Sequence, residues 1–458
     1  MSRSLTWCIL MFPMAGIPQT IALFLQAYRE VFCREAGFEH IKRYISGLLL
    51  SANKTLQGIY SQLVWPQDER VSRRAMHESV FESGWERSEL MSQHRAVVAP
   101  QHRGRGREVI SLDWTFAHHP GSKKIFGAKE AYDYVNRCWS CYQTVVTAAI
   151  ANPQRVDGIA VEVQTPNYKK EELAYLRMTA REKYESLEQV RQRLLELMHY
   201  HKNRLAYRKR TEIAVEIVRQ LEQEGQFPGV PYAFDQGVLS RPLTQLIEAA
   251  GKYWVSEIER SRLILWNGDW QRVDGVAQRL RQEHPESFRY KVVRMRNGET
   301  QEIWAFTKVV RLKKYGRQRL VIVHECKDLS DPPRFLLTNA LHWESARVMQ
   351  TWTYRWPIET FHEFCKQLAG FESAQLRNEE AVKRHFCLSC VAQSALQQAS
   401  CAGKKSERFK FAQQNEHNIG QRLYQLSRES VQQLVELTQH LLAQGHSIEQ
   451  IMEVIMPA

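Results

Sequence analysis

Apolar residues recur along this chain with two different periods, and each change of period marks a new region. Residues 19–95 place them three or four positions apart, which predicts a set of helices. Three short apolar runs follow, separated by polar turns: Val109–Thr115, Cys141–Ile150 and Val156–Val163. This pattern predicts a three-stranded antiparallel meander.

Helical spacing returns at residues 169–224 and ends at the Phe-Pro-Gly turn of residues 227–229. The short run Val230–Phe234 then predicts a strand, and Ser240 is a favourable N-cap for the helix that follows. A further strand is predicted at Tyr253–Ile258. This order of strand, helix and strand predicts a βαβ-like unit.

Residues 260–329 differ from what precedes them because apolar and polar side chains alternate. Asn297 and Gly298 lie between two alternating runs, as in a tight β-hairpin. The alternation predicts a β-rich insertion with many Arg and Lys side chains on one face. A core strand and a series of helices are predicted to follow: strand Arg334–Asn339, then helices Trp343–Gln350, one from Pro357, Ala381–Ala399, Gly420–Glu429 and Val431–Ala443. The predicted fold class is therefore α/β, a mixed sheet flanked by helices with helical regions at both ends.

The charge balance narrows the choice of partner. The 458 residues include 63 Lys and Arg against 50 Asp and Glu, a formal net charge of +13 with a pI of about 9.3. Such an excess favours a polyanion, nucleic acid before a membrane surface. The nine cysteines are odd in number and scattered, which favours reduced thiols and a cytoplasmic location over a disulfide framework.

The first apolar run, Leu5–Ile17, could pass for a signal peptide. Pro13, Gly16 and Pro18 interrupt it, and no clear cleavage site follows. It is also too short to span a bilayer. We therefore expect a buried helical segment there.

Two of the predicted strands carry an acid. Asp113 lies within the run Val109–Thr115, where a carboxylate is costly unless it is paired or binds a metal. Asp235 directly follows Val230–Phe234, at the carboxyl end of a strand, where α/β proteins gather functional side chains. The alternative for Asp113 is a carboxylate held by local hydrogen bonds.

A third acid opens a late helix. Pro357 suits the first helical position, so Glu359 falls in the first turn, where the helix N-terminus favours negative charge. Lys366 lies about two turns further along the same face, and Arg355 lies just upstream. Such a helix start could hold a metal ion, a phosphate and an unstacked base. The alternative is an ordinary amphipathic helix.

The segment R-W-P-I-E-T-F-H-E-F-C-K-Q that begins at Arg355 resembles the third catalytic segment of DDE transposases from bacterial insertion sequences. It is similar to the group whose signature is Tyr, two residues, Arg, three residues, Glu, six residues, Lys. Arg355, Glu359 and Lys366 match that spacing, and Trp352 stands at the tyrosine position with Tyr354 nearby. The runs L-D-W-T around Asp113 and F-D-Q-G-V-L-S-R-P-L around Asp235 carry the rest of the resemblance.

This resemblance implies an RNase H-like catalytic core, in which three carboxylates meet at one sheet edge and bind two Mg²⁺ ions, or Mn²⁺ in their place. Asp113, Asp235 and Glu359 would then be the catalytic, metal-binding triad. The resemblance and the aromatic residues nearby also suggest contacts to a DNA end or to an unstacked base for a further set: Arg355, Lys366, Trp352, Tyr354, His362, Trp304 and Trp266.

The implied function is a DNA transposase that binds terminal inverted repeats, cleaves the element ends and joins 3′ ends to target DNA. It would act as a homodimer on double-stranded DNA, in the bacterial cytoplasm and in association with the nucleoid. Three alternatives stay open: a catalytically inactive transposase-derived DNA-binding protein, a non-mobile RNase H-like nuclease, and a structural RNA-binding protein. The last would explain the charge but not the three acids.

Five regions are expected in chain order. Residues 1–100 form a helical region that binds DNA ends, and residues 108–258 form the first part of the catalytic core. Residues 259–330 form the β-rich insertion, and residues 331–400 complete the core with the catalytic helix. Residues 401–458 form a helical C-terminal region for dimerisation.

Overall fold

The computed structural model describes residues 12–65, 70–122, 124–134, 136–181, 183, 186–399 and 419–456. They form a mixed α/β structure with one sheet of twelve strands and helices packed against it. Five helices precede the sheet, as the helical spacing predicts, and share a core with its first strands: α1 Gln19–Leu25, α2 Glu35–Leu50, α3 Leu56–Gln62, α4 Arg73–His77 and α5 Arg87–His102. A 3₁₀ helix, Gln26–Val31, and a π-helical turn, Glu78–Glu82, extend α1 and α4.

The meander predicted at the start of the sheet is confirmed, with one strand added. Its strands are β1 Val109–His118, β2 Lys129–Asp133, β3 Cys138–Ala151 and β4 Val156–Val163. β3 pairs antiparallel with β1 on one side and with β2 and β4 on the other. The sequence did not predict β2 because its five residues, Lys-Glu-Ala-Tyr-Asp, are mostly polar and carry no apolar run.

Three helices occupy the long helical segment: α6 Lys169–Thr179, α7 Leu187–Ala206 and α8 Arg210–Glu224. α8 ends at Glu224, as predicted, because Gly225 adopts a positive φ of 65° and closes the helix just before the Phe-Pro-Gly turn. Next come β5 Tyr232–Phe234, α9 Arg241–Ala249 and β6 Trp254–Glu257. β5 runs parallel to β1 and to β6, which confirms the predicted parallel unit.

The cap predicted at Ser240 is wrong in one respect. Ser240 does precede α9, but its hydroxyl makes no hydrogen bond. Pro242 occupies the second position of the helix and has no N–H, so one of the two donors that such a cap uses is missing.

The predicted β-rich insertion extends the same sheet. Its elements are β7 Leu263–Trp266, β8 Asp269–Arg272, α10 Val273–Glu283, β9 Arg289–Arg294, β10 Thr300–Leu312 and β11 Gly316–His324. β12, Arg334–Thr338, then pairs antiparallel with both β11 and β6. The full strand order is therefore β2-β3-β1-β5-β6-β12-β11-β10-β7-β8, with β4 also on β3 and β9 also on β10.

Helices close the chain: α11 Ser345–Thr353, α12 Pro357–Gln367, α13 Glu379–Leu396, α14 Ile419–Ala443 and α15 Ile448–Ile455. α12 packs across β1, β3 and β4, and the absence of a side chain at Gly158 lets Phe361 lie against β4. α13 is buried between β4 and the helices α2 and α5. α14 is one continuous helix where two were predicted. The expected break at Ser430 lies near the middle of this helix.

Two predictions at the chain ends need comment. Residues 12–17 are not helical: Met14 forms a bridge with Leu63, so this part of the predicted buried helix is wrong. The rest of that segment, and residues 400–418 of the C-terminal regions, lie outside the described residues. Within the described ranges no helix is long and apolar enough to cross a membrane.

Candidate active site

The register between β1 and β5 brings two of the predicted acids together. Leu112 lies opposite Phe234 in this parallel pair, so Asp113 and Asp235 come next on adjacent strands. Neighbouring strands are about 4.8 Å apart, and residues in register project to the same face of a sheet. Two acids 122 positions apart in the chain therefore share one edge of the core.

Two polar contacts hold α12 above this edge. The Ser111 hydroxyl donates to the backbone carbonyl of Tyr354 at 2.9 Å, just before α12. Further along, His362 Nε2 and the Thr147 hydroxyl are 2.6 Å apart, and Thr147 lies directly opposite Asp113 in the sheet. Because Glu359 lies between these two anchors, its carboxylate is carried over Asp113.

Arg355 lies between the acids. Its Nη1 is 3.6 Å from Asp113 Oδ2, and its Nη2 is 2.5 Å from Glu359 Oε1. Its Nε is buried and has no hydrogen-bond partner in the part of the chain that the structure describes. The predicted DNA contact is thus, in this structure, the internal counter-ion of two of the predicted metal ligands.

The electrostatics of Asp113 reflect this crowding. Burial raises the pKa of its carboxyl to about 7, with further increases from Asp235 and Glu359. The backbone N–H of Trp114 and the guanidinium of Arg355 oppose the rise. Asp235 is better satisfied, since one of its oxygens accepts from the N–H groups of Gly237 and Val238, each at 3.0 Å.

The sequence analysis missed a fourth acid at the same edge. Ser256 of β6 lies opposite Phe234, so Glu257 is the next residue beside Asp235. Burial raises the pKa of Glu257; Asp235 adds to the increase, while Arg334 and Arg355 oppose it. The criterion that found Asp235, an acid at the carboxyl end of a strand, applies equally to Glu257.

Two of the residues predicted to contact DNA are buried in this structure. Tyr354 is 2% exposed and its ring packs in the core. His362 is 6% exposed and bonded to Thr147, and burial together with Lys366 lowers its pKa to about 3. The contact with Thr147 shows that the side chain of His362 points toward the sheet.

The other predicted contacts are partly accessible. Trp352 is half-buried, with the guanidinium of Arg334 4.3 Å from its ring centre. Lys366 Nζ is 3.9 Å from a carboxylate oxygen of Glu372, and burial lowers the pKa of this lysine. The side chain of Lys366 is therefore only partly exposed and lies against Glu372.

Trp304 and Trp266 lie in the extended part of the sheet. The Trp304 ring is 5.6 Å from that of Tyr290, and Lys308 Nζ is 4.0 Å from the ring centre of Trp266. Trp304 is on β10, four strands from β5, which corresponds to roughly 19 Å across a sheet. The structure does not bring either ring next to the three acids.

No group of three or more His, Cys, Asp or Glu side chains among the described residues is close enough to hold a metal ion. The position between Asp113 and Glu359 is taken by Arg355. The three carboxylates converge on one edge without being arranged as a ligand set.

Comparison with known proteins finds a family model that matches part of the chain. Residues 188–394, less than half of the chain, match the family model described as "Transposase DDE domain". The match includes Asp235, Arg355, Glu359 and Lys366 but not Asp113. It supports a DDE transposase, and with it a nuclease or transferase enzyme whose class generally uses divalent metal ions.

No curated protein matches the chain. Among solved structures, the chain is similar to the one titled "Cryo-EM structure of piggyBac transposase synaptic complex with hairpin DNA (SNHP)". The sequence identity is 9% and the TM-score is 0.44, over 98% of this chain and 84% of that chain. A likeness this distant carries no inference about activity.

Proposed function

We propose that this protein is an active DNA transposase of a bacterial insertion sequence, with an RNase H-like core and Asp113, Asp235 and Glu359 as its catalytic carboxylates. The observation that carries the proposal is the parallel register that sets Asp113 beside Asp235 while α12 holds Glu359 over them. The transposase match supports the assignment of Asp235 and Glu359, and the sheet register supports that of Asp113.

The three carboxylates are of the kind that Mg²⁺ or Mn²⁺ prefers, and they can form a ligand set once Arg355 has moved. Carboxylate oxygens are the ligands that such hard cations prefer. The raised pKa of Asp113, due to burial and to its acidic neighbours, marks a place where a cation would relieve repulsion, and Arg355 already supplies one positive charge there. When bound, two such ions would activate a water or a 3′-hydroxyl and stabilise the leaving oxygen of a phosphodiester.

The remaining residues of the site have roles in this proposal that follow from their contacts. Arg355 must leave Asp113 and Glu359 for a metal to bind, and a nearby phosphate of the DNA end is a suitable new partner for its guanidinium. Lys366 would similarly exchange Glu372 for a phosphate. Ser111 and Thr147 keep α12 in place throughout.

The proposed substrates are the terminal inverted repeats of the element and its target DNA, bound as double strands by a homodimer in the bacterial cytoplasm. The net charge of +13 supports a polyanionic partner. The proposed reaction is cleavage at the element ends followed by joining of the 3′ ends to the target.

The test is cleavage of labelled DNA that carries the flanking inverted repeats, in Mg²⁺ or Mn²⁺, by wild type and by Glu359→Gln. Glu363→Gln is the matched control, because Glu363 is one turn further along α12 and its side chain is exposed. We expect wild type and Glu363→Gln to nick the repeat ends. Glu359→Gln should bind the same DNA and cut it at least about 10³-fold more slowly, an increase in barrier of about 4 kcal/mol.

Equal cleavage by wild type and Glu359→Gln would contradict the assignment of Glu359. Binding by all three proteins with no cleavage by any would instead favour the catalytically inactive DNA-binding protein. Cleavage without strand joining would favour the non-mobile nuclease.

A further inference from the structure

The helices α6 and α7 form a hairpin whose inner face is well bonded. The Tyr175 hydroxyl donates to Glu196 at 2.7 Å, and Glu172 accepts from Arg204 and lies 2.9 Å from His201 Nδ1. Buried residues are present on α6, whereas none of the twenty residues of α7 is buried. α7 therefore uses one face for α6 and leaves another face in solvent.

That second face of α7 is apolar. Five of its large apolar side chains are more than half exposed, from 55% for Leu194 to 89% for Leu187: Leu187, Leu194, Leu195, Met198 and Leu205. At 3.6 residues per turn, four of them, all but Leu195, project within about 40° of one another. Exposed apolar stripes of this kind on a soluble protein mark an interaction surface.

The stripe has the same pattern read from either end. Leu187 and Leu194 are seven residues apart, Leu194 and Met198 four apart, and Met198 and Leu205 again seven apart. A second α7 lying antiparallel would place each Leu187 against Leu205 of the other copy near the helix ends. It would place each Leu194 against Met198 of the other copy near the centre. Spacings of seven and four are those of helix–helix seams.

The charges beside the stripe also suit an antiparallel copy. Glu188 is exposed near the start of α7, with Arg191 of the same helix 3.7 Å away, and Lys202 is exposed near its end. Antiparallel pairing brings each Glu188 toward the Lys202 region of the other copy. A lipid surface would instead favour Lys and Arg along the whole polar border of the stripe.

Exposed apolar side chains continue onto α6. With Leu173, Leu176 and Met178 the hairpin has eight large apolar side chains that are 41% exposed or more, and a standard interface takes about 800 Å² from each partner. We propose that α7 is a homodimerisation surface on which two copies of this chain pair antiparallel, independently of DNA and of the catalytic site.

The test is the molar mass of the full-length protein without DNA, measured by light scattering and sedimentation over a range of concentrations. We expect wild type to be a dimer, and both Leu194→Glu and Met198→Lys to be monomers with at least a 100-fold weaker association. An equimolar mixture of the two variants should dimerise again, because antiparallel pairing sets the new Glu against the new Lys. Leu23→Glu is the control, since Leu23 of α1 is 66% exposed but lies outside the stripe.

A monomeric wild type, or an unchanged dimer of Leu194→Glu, would overturn the proposal. Failure of the mixture to associate would overturn the antiparallel register. Stripe-dependent binding of the monomer to anionic vesicles would identify a lipid surface as the occupant instead. Circular dichroism of each variant checks that its overall helical content equals that of wild type. Because the masses are measured without DNA, failure of the cleavage test of the proposed function would leave each of these outcomes unchanged.

Discussion

Two acids in the same meander, the half-buried Asp113 and the fully buried Asp157, have opposite surroundings. Asp157 of β4 is fully buried and receives bonds from Arg155 at 2.6 and 2.7 Å and from the Ser394 hydroxyl at 2.6 Å, with His102 Nε2 at 2.7 Å. Burial alone would raise its pKa, but Arg155 and His102 outweigh burial and hold the pKa well below its usual range. Asp113 accepts one backbone bond, and its pKa is raised.

This difference separates a structural acid from one suited to a ligand. The partners of Asp157 come from α5, from Arg155 just before β4 and from α13, so this carboxylate joins three parts of the fold and its hydrogen-bonding capacity is used within the protein. Asp113 has acidic neighbours and a single shared guanidinium. A carboxylate that its own fold leaves under-compensated has affinity for an added cation.

The largest expected effect is the loss of folding stability when Asp157 is neutralised, compared with the same change at Asp113. Asp157→Asn removes the charge that compensates buried Arg155, and loss of one partner from a buried pair costs about 3–5 kcal/mol. Asp113→Asn should cause no comparable loss, because Arg355 keeps Glu359 as its partner. Urea unfolding at pH 7 measures both free energies. A similar loss of unfolding free energy in the two variants would contradict the view that Asp157 is a structural acid and Asp113 is not.

The sequence predicted where Asp113 and Asp235 lie in the fold, but not which side chains surround each acid. The apolar runs around Asp113 and before Asp235 predicted two strands, and the resemblance to DDE transposases implied that their acids meet at one sheet edge, which the parallel pairing of β1 and β5 provides. The side chains that pair with a buried acid could not be predicted in the same way. Arg155 is two residues from Asp157, but His102 and Ser394 come from helices whose packing no local pattern encodes.

The same limit explains the errors at α12. Helical spacing predicted that Glu359 and Lys366 share a face, but it could not say which face meets the sheet. That choice depends on contacts made by Ser111 of β1 and Thr147 of β3. His362 and Tyr354 were predicted to contact DNA for want of this information.

A second prediction concerns pH. The folded-state pKa of Asp113 is about 7 against an ordinary 3.8, so the folded protein binds this proton more tightly than the unfolded chain does. Between these values stability falls as pH rises, and above pH 7 the full cost of the charge is present. Asp113→Asn should therefore stabilise the metal-free protein on the order of 1–3 kcal/mol at pH 8 and scarcely at pH 4.

Urea unfolding of wild type and Asp113→Asn at pH 4, 6 and 8, with a chelator present, measures this gain. Adding Mg²⁺ at pH 8 should stabilise wild type more than the variant, since the ion would compensate the charge that Asn lacks. A gain that is constant across pH would mean that the Asp113 charge is not its source.

The smallest expected effect tests what holds the acids together. Thr147→Val keeps the side-chain shape but leaves the buried ring of His362 without its bond to the hydroxyl, at a cost of about 1–2 kcal/mol. The cost should appear in urea unfolding, and cleavage should slow by roughly 10-fold as α12 and Glu359 shift, a change in barrier of about 1.4 kcal/mol. Thr144→Val, at a half-buried position of β3 three residues before Thr147, is the control and should change neither quantity by more than about 0.5 kcal/mol. If Thr147→Val destabilises the fold yet cleaves at the wild-type rate, then α12 is fixed by its apolar packing on β4, and the Thr147 contact contributes stability without positioning Glu359.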